Sequence, residues 1–253
     1  MFWAGDRSND STVRVNFIVE GQTEETFVRR ILTESLFPCG VYVSGARSVE
    51  TGRKKISGLN IIKPGKQETI FRGGMPSFEK IKRDIERWLV EDRKAYLTTM
   101  FDLYALSNDF PKYDNAIKVE DPYRKVKILE DALRTEIANS RFIPYIQLHE
   151  FEGLLFSDVK IMDDVLKPYH DSSKFEELMS IRGQFKTPEE IDDGIETAPS
   201  KRIINLFKSY QKVTYGYQVA QRIGVDTIRK ECPHFNEWIV ALCRLAIYGQ
   251  SRS

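Results

Sequence analysis

Cysteine and histidine are scarce in this chain, with three of each in 253 residues. Cys39, Cys232 and Cys243 form no CxxC pair, and no histidine stands at zinc-ligand spacing from them. That usage argues against a disulfide scaffold and against structural zinc, and it fits a reduced, cytoplasmic setting. An excess of charge of one sign is also missing: 38 Lys plus Arg face 37 Asp plus Glu. The overall balance therefore names no partner, and only local clusters can. Nowhere do about 18 uncharged apolar residues run together, so no membrane span is expected, and the start MFWAGDRSND reads as neither a signal nor a transit segment. There is no GxxxxGK[ST] phosphate loop, no internal repeat and no low-complexity tail.

What is present is the composition of an ordinary soluble globular protein, 41% hydrophobic with a mean hydropathy of -0.40. Its length suits one large domain, or a domain with an appendage. The run VRVNFIV, 13–19, is short, β-branched and almost continuously apolar, as expected of a strand covered on both faces. Gly21 and Gln22 turn the chain, and Phe27, Val28, Ile31, Leu32 and Leu36 recur at helical spacing until Pro38 and Gly40 end the pattern. VYVS, 41–44, predicts a second strand. Residues 45–76 then lose periodicity and collect glycines and an excess of Lys and Arg, which predicts a flexible, locally basic loop.

Phe78, Ile81, Ile85, Trp88 and Leu89 mark an amphipathic helix. AYLTTMFDLYAL, 95–106, predicts a core strand ending in Asp102, and Asp121 with Pro122 supplies an N-cap and first position for a helix through Ile137. A strand is expected over about 142–149. From about Asp158 onward short helices with clear punctuation take over. Strands alternating with helices of this length imply βαβ units and a mainly parallel sheet, so the division expected is an α/β domain over 1–157 and a helical C-terminal region over 158–253.

Three of these strands deliver carboxylates at or just past their C-terminal ends: Glu20 with Glu24, then Asp102, then Glu150 with Glu152. In an open parallel sheet that edge is where ligands bind. Five carboxylates in one crevice repel one another unless something positive sits among them. A divalent cation does so, and hard oxygen ligands select Mg²⁺ or Mn²⁺. Phosphodiester hydrolysis is the chemistry that follows most directly. Each acid also has a plainer role open to it: Glu24 can complement a helix dipole, Asp102 can form a turn, and Glu150 and Glu152 can be solvated at a helix start. His149 is expected to satisfy a local hydrogen bond. The basic loop is either a solvated insertion or, through Arg53, Lys54, Lys55, Lys63, Lys66 and Arg72, a grip on a phosphate backbone.

At VEGQTEETF, 19–27, the chain resembles the Toprim family, specifically the branch of the overcoming-lysogenization-defect (OLD) and related phage-defence nucleases. That branch opens with a strand ending V-E-G and a second Glu four residues on, matching Glu20 and Glu24. Its next motif is a strand ending D-x-D; here FDLY supplies Asp102 but places Tyr104 where the second Asp belongs. A further Glu then falls on Glu152 or Glu150, and a downstream Lys on Lys201 in APSKRI. HEFEGLLFSD, APSKRI and CPHFNEW together resemble an uncharacterised Toprim-like bacterial family encoded in defence loci near an ABC or SMC-like ATPase.

The resemblance implies a Toprim-like Rossmannoid α/β fold, a mainly parallel sheet flanked by helices with a helical C-terminal region. It further implies a metal-dependent nuclease acting on DNA or RNA, with Mg²⁺ or Mn²⁺ held by Glu20, Glu24, Asp102 and Glu152, the catalytic set completed by Glu150 and Lys201, and an ATPase partner protein. The loss of a carboxylate at Tyr104 weakens a second ion more than the first. The rival expectations are a non-catalytic Toprim-like subunit that binds nucleic acid or a partner, and a nucleotidyl or phosphoryl transferase. They part on whether the acids converge and on whether any product depends on added nucleotide.

Overall fold

The computed structural model describes residues 12–49, 75–170, 172–191 and 197–249. Its first unit is strand β1 (Val13–Val19), helix α1 (Gln22–Phe27), a π-helical turn (Val28–Leu32), α2 (Thr33–Leu36) and a 3₁₀ turn (Phe37–Cys39) that ends on Gly40 in the left-handed region at φ 79°. Next come β2 (Val41–Ser48), α3 (Phe78–Glu91), β3 (Tyr96–Asp102), α4 (Tyr113–Ala116), α5 (Pro122–Ile137), β4 (Phe142–Ile143) and β5 (Ile146–Gln147). The strands run in the order β2-β1-β3-β4 with β5 also beside β3, and every pairing is parallel.

Alternation along the central strands places apolar side chains on both faces of the sheet. Val15, Phe17, Val19 and Met100 join one core, and Ile18, Leu97 and Phe101 join the other with α3 and α5. The fold is therefore the α/β arrangement expected, a parallel sheet between helical layers. Asp121 caps α5 as predicted, its side chain accepting from the Tyr123 and Arg124 amides at 2.9 and 3.2 Å.

Three expectations are corrected. β2 does not stop at residue 44: pairing with β1 shifts between Val15 and Asn16, and β2 continues to Ser48. Gly45 allows this, because a Cβ there would stand 3.0 Å from the Trp88 ring. The strand expected over 142–149 exists only as two short pieces, since Pro144 has no amide to donate to a ladder. Thr99 repairs the gap, its hydroxyl accepting from Tyr145 N–H at 2.8 Å and donating to Tyr145 C=O at 2.9 Å. Finally, Cys39 and Cys243, which are 204 residues apart, are joined in a disulfide with a Cα–Cα distance of 5.4 Å. Spacing along the chain could not reveal a pair that only the fold brings together.

The remaining helices are α6 (Val159–Leu166), α7 (Phe175–Arg182), α8 (Pro199–Leu206), α9 (Tyr217–Ile223), α10 (Val225–Glu231) and α11 (Pro233–Gly249). They share the core of the β1 face, which extends from Val15 to Ala246. On α11, Trp238 stacks on Tyr145 with centroids 4.1 Å apart, meets Phe17 edge-on at 5.9 Å, and donates its indole N–H to Thr98 Oγ1 at 2.9 Å. Glu189 caps this helix by accepting from the amides of His234 and Phe235, each at 2.9 Å. Among the described residues no helix is long and apolar enough to cross a membrane.

The Thr99 repair carries a measurable load. Thr99→Val removes both bonds and leaves a buried amide and carbonyl of Tyr145 without partners, at about 1–3 kcal/mol each. The expected outcome is a loss of about 2–6 kcal/mol in urea unfolding with an unchanged m-value; a loss under about 1 kcal/mol would show that Tyr145 is held by its ring contacts alone.

Candidate functional site

Glu20 directly follows β1 and Asp102 ends β3. Because these strands are neighbours, the two acids finish side by side, with the Asp102 amide donating to Glu20 Oε2 at 3.4 Å. Glu24 stands in the first turn of α1 and accepts from the Gly21 amide at 3.0 Å, so it also caps the helix. Asp102 Oδ1 accepts from the Phe151 amide at 2.9 Å. That bond fixes the start of a 3₁₀ segment (Phe151–Ser157) against the end of β3, with Glu150 and Glu152 on either side of Phe151. His149, at φ 58°, makes the turn that brings them there.

Glu150 reaches the N-terminus of α8, where Oε2 accepts from the Ser200 amide at 3.0 Å. Among the described residues the cation at the site is Lys212, from a π-helical turn (Lys212–Gly216) that packs beside α1. Its Nζ donates to Glu152 Oε2 at 2.9 Å and lies 4.0 Å from Glu150 Oε1. Lys201, the lysine implied by resemblance, is exposed on α8 next to Ser200. Lys212 sits 60 residues after Glu152 in YQKVTYGY, without any strand or motif to mark it.

All five acids therefore share one crevice at the C-terminal edge of the sheet. Tyr104 is 43% exposed in the turn after β3, with its ring 5.2 Å from that of His149, and adds no carboxylate. His149 is buried, and burial, helped by Lys125, lowers its pKa to about 4, which keeps it neutral. Arg53, Lys54, Lys55, Lys63, Lys66 and Arg72 lie outside the described residues.

Among the described residues one lysine faces five carboxylates, and burial with mutual repulsion raises several of them. Burial, then the charge of Glu24, raises Glu20 to about 7. Burial also raises Glu152 to about 7, even with Lys212 against it. Asp102 is held well above the usual carboxylate range by burial, then by Glu20 and Glu24, and Glu24 is raised mainly by burial. Burial opposes the charge on Lys212, but Glu152, Glu150 and Asp102 outweigh it and lift its pKa above the ordinary lysine value. Glu152 Oε1 is buried without a hydrogen-bond partner.

The donor chemistry fits a hard divalent cation: oxygen ligands only, excess negative charge, and an unsatisfied carboxylate oxygen. Among the described residues, no three His, Cys, Asp or Glu side chains are already gathered in a metal-binding arrangement. Raised carboxylate pKa values and the Lys212 ammonium both lower the net negative charge of the crevice.

Raised carboxylates set the direction of the pH dependence. Glu20 and Glu152 release their protons near pH 4.5 when unfolded but near 7 when folded, so the folded chain binds more protons between these values. Their contribution to stability is full below pH 4.5 and declines as pH rises toward 7. Glu20→Gln is accordingly expected to raise the melting temperature by about 2 °C or more at pH 8, with the gain shrinking toward zero at pH 4.5. Lys212→Met should do the reverse, destabilising most at pH 8. Equal effects at both pH values in thermal melts would show that the crevice does not concentrate charge.

A protein-family model described as "Domain of unknown function (DUF4276)" matches residues 19–243. The search of functionally curated proteins found no match. Among solved structures, the chain is similar to the C-terminal region of the Xanthomonas campestris pv. campestris OLD protein, at 16% identity and a TM-score of 0.45, over 95% of this chain and 98% of that one. It is also similar to the C-terminal region of the Burkholderia pseudomallei OLD protein, at 14% identity and a TM-score of 0.44, over 92% and 98% of the two chains.

Proposed function

The chain belongs to the DUF4276 family, and on that premise we propose that it is a metal-dependent nuclease of the Toprim kind, hydrolysing phosphodiester bonds in DNA or RNA. The carrying observation is the convergence of Glu20, Glu24, Asp102, Glu150 and Glu152 with Lys212 at the C-terminal edge of a parallel sheet. The V-E-G turn and the strand-end Asp102 support the same reading by resemblance.

Glu20, Glu24, Asp102 and Glu152 would hold Mg²⁺ or Mn²⁺, whose chemistry is to activate water and stabilise the leaving oxygen. The remaining work falls to the chain itself. Backbone amides of Gly21, Asp102 and Phe151 fix the orientation of Glu24, Glu20 and Asp102, so these carboxylates are aimed before substrate arrives. Glu150, anchored on α8, helps place Lys212. Lys212, 43% exposed, presents a lasting positive charge to a scissile phosphate and its developing negative charge. The implied ABC or SMC-type ATPase partner, a defence role and a cytoplasmic setting belong to the same proposal.

A second reading, a non-catalytic subunit that binds nucleic acid or a partner, is favoured by one observation: among the described residues no three of the acids are gathered as a set that could hold a metal ion. The experiment that separates them uses plasmid, single-stranded DNA and RNA with Mg²⁺ or Mn²⁺, beside thermal melts with the same ions. Expected are metal-dependent cleavage, its loss by at least about 100-fold in Glu20→Gln and Asp102→Asn, and a metal-induced rise in melting temperature that both variants lack. Equal cleavage by wild type and both variants sinks the site assignment. Neither cleavage nor any metal-induced shift selects the binding subunit.

A further inference from the structure

Away from the acids, at the β4 edge of the sheet, a cavity of about 520 Å³ opens between α5 and α11. Ile143, Pro144 and Ala241 give it apolar lining, while α5 contributes Arg124, Lys127 and Arg134 to its rim. The acids nearby are largely committed. Asp131 is shared by Lys127, at 2.6 Å, and by Arg134, at 3.1 Å, so those three side chains keep one net positive charge. Arg124 is exposed and makes no ion pair among the described residues.

From α11, His234 lines the same cavity. Its Nε2 lies 3.0 Å from Glu130 Oε1 and 3.1 Å from the Ile146 carbonyl oxygen, and a proton on Nε2 serves both. Glu130 in turn accepts from the Ile146 amide at 2.8 Å. Burial disfavours charge on His234, but the hydrogen bond and charge of Glu130, followed by Glu189, raise its pKa. Once the imidazole is charged its second nitrogen is also a donor, and Nδ1 makes no hydrogen bond among the described residues. Glu237 is the one acid on the rim without a cation of its own among the described residues.

We propose that this cavity is a second binding site, independent of the acidic crevice, for a phosphate monoester: Arg124, Lys127 and Arg134 on α5 and His234 on α11 take the phosphate, and the apolar lining takes its organic substituent. The volume exceeds what a bare phosphate fills and suits a small phosphorylated molecule or the phosphorylated end of a strand. Planar guanidinium groups on one helix opposite a histidine ring on another offer several donors to a dianion with several acceptor oxygens. The faces of Tyr145 are already covered by His234 and Trp238, so the substituent meets aliphatic surface and is not stacked on that ring.

The test is calorimetric titration of the full chain in EDTA, which keeps any ion from bridging phosphate to the carboxylates. The probes are inorganic phosphate, a nucleoside 5′-monophosphate, and a short oligonucleotide with and without a 5′-phosphate. Saturable binding of the monophosphate, tighter than that of inorganic phosphate, is expected. Preference for the phosphorylated oligonucleotide over the unphosphorylated one would identify a strand end as the source; binding of the mononucleotide alone would identify a free ligand. Arg124→Ala should weaken binding about 10-fold, and Glu237→Gln should tighten it about 2- to 5-fold, an opposite sign that misfolding cannot produce. No saturable binding of any probe, or identical affinity in both variants, overturns the proposal.

Discussion

Burying like charges together is the constraint on which this molecule turns. Asp102 and Glu152 are both almost fully enclosed, and Glu20 and Glu24 lie beside them. Such a group survives only where something offsets the repulsion. Three offsets are visible. Backbone amides donate to four of the five carboxylates; Lys212 bonds Glu152; and burial favours the protonated form, raising Glu20 and Glu152 to about 7. Strongly perturbed acids gathered in one enclosure mark it as a candidate functional site.

The rest of the fold holds that crevice open at one edge. The sheet contributes Glu20 and Asp102 through adjacent parallel strands, so their spacing is set by the β1–β3 ladder. The Asp102–Phe151 bond then passes the position of the sheet to the 3₁₀ segment, and through it to Glu150 and Glu152. The C-terminal helices are part of the same construction, because α8 anchors Glu150 and the turn before α9 delivers Lys212. Trp238 and Tyr145 fasten α11 across the sheet at the point where Pro144 interrupts the ladder. The α5–α11 cavity lies beside that interruption and is lined in part by Ile143, Pro144 and Tyr145.

Much of this was legible in the amino-acid order. Apolar runs with β-branched residues specified β1 over 13–19 and the end of β3 at Asp102, Asp121 and Pro122 specified the start of α5, and the strand-end acids marked one edge of the sheet. These signals are local, and local signals survive in one dimension. The strand over 142–149 failed because Pro144 breaks a ladder that Thr99, 46 residues away, mends with its side chain. β2 was cut short because Gly45 resembles a loop residue until the Trp88 ring is seen lying over it.

By itself the sequence determined the parallel α/β architecture and the placing of acids at strand ends, since periodicity and turn chemistry act between near neighbours along the chain. Only the tertiary structure decided which lysine faces those acids, that Cys39 meets Cys243, and that His234 meets Glu130. Each of those pairings joins residues 60 to 204 positions apart. Coulombic attraction and covalent reach operate through space, and separation along the chain carries no information about them until the core has packed.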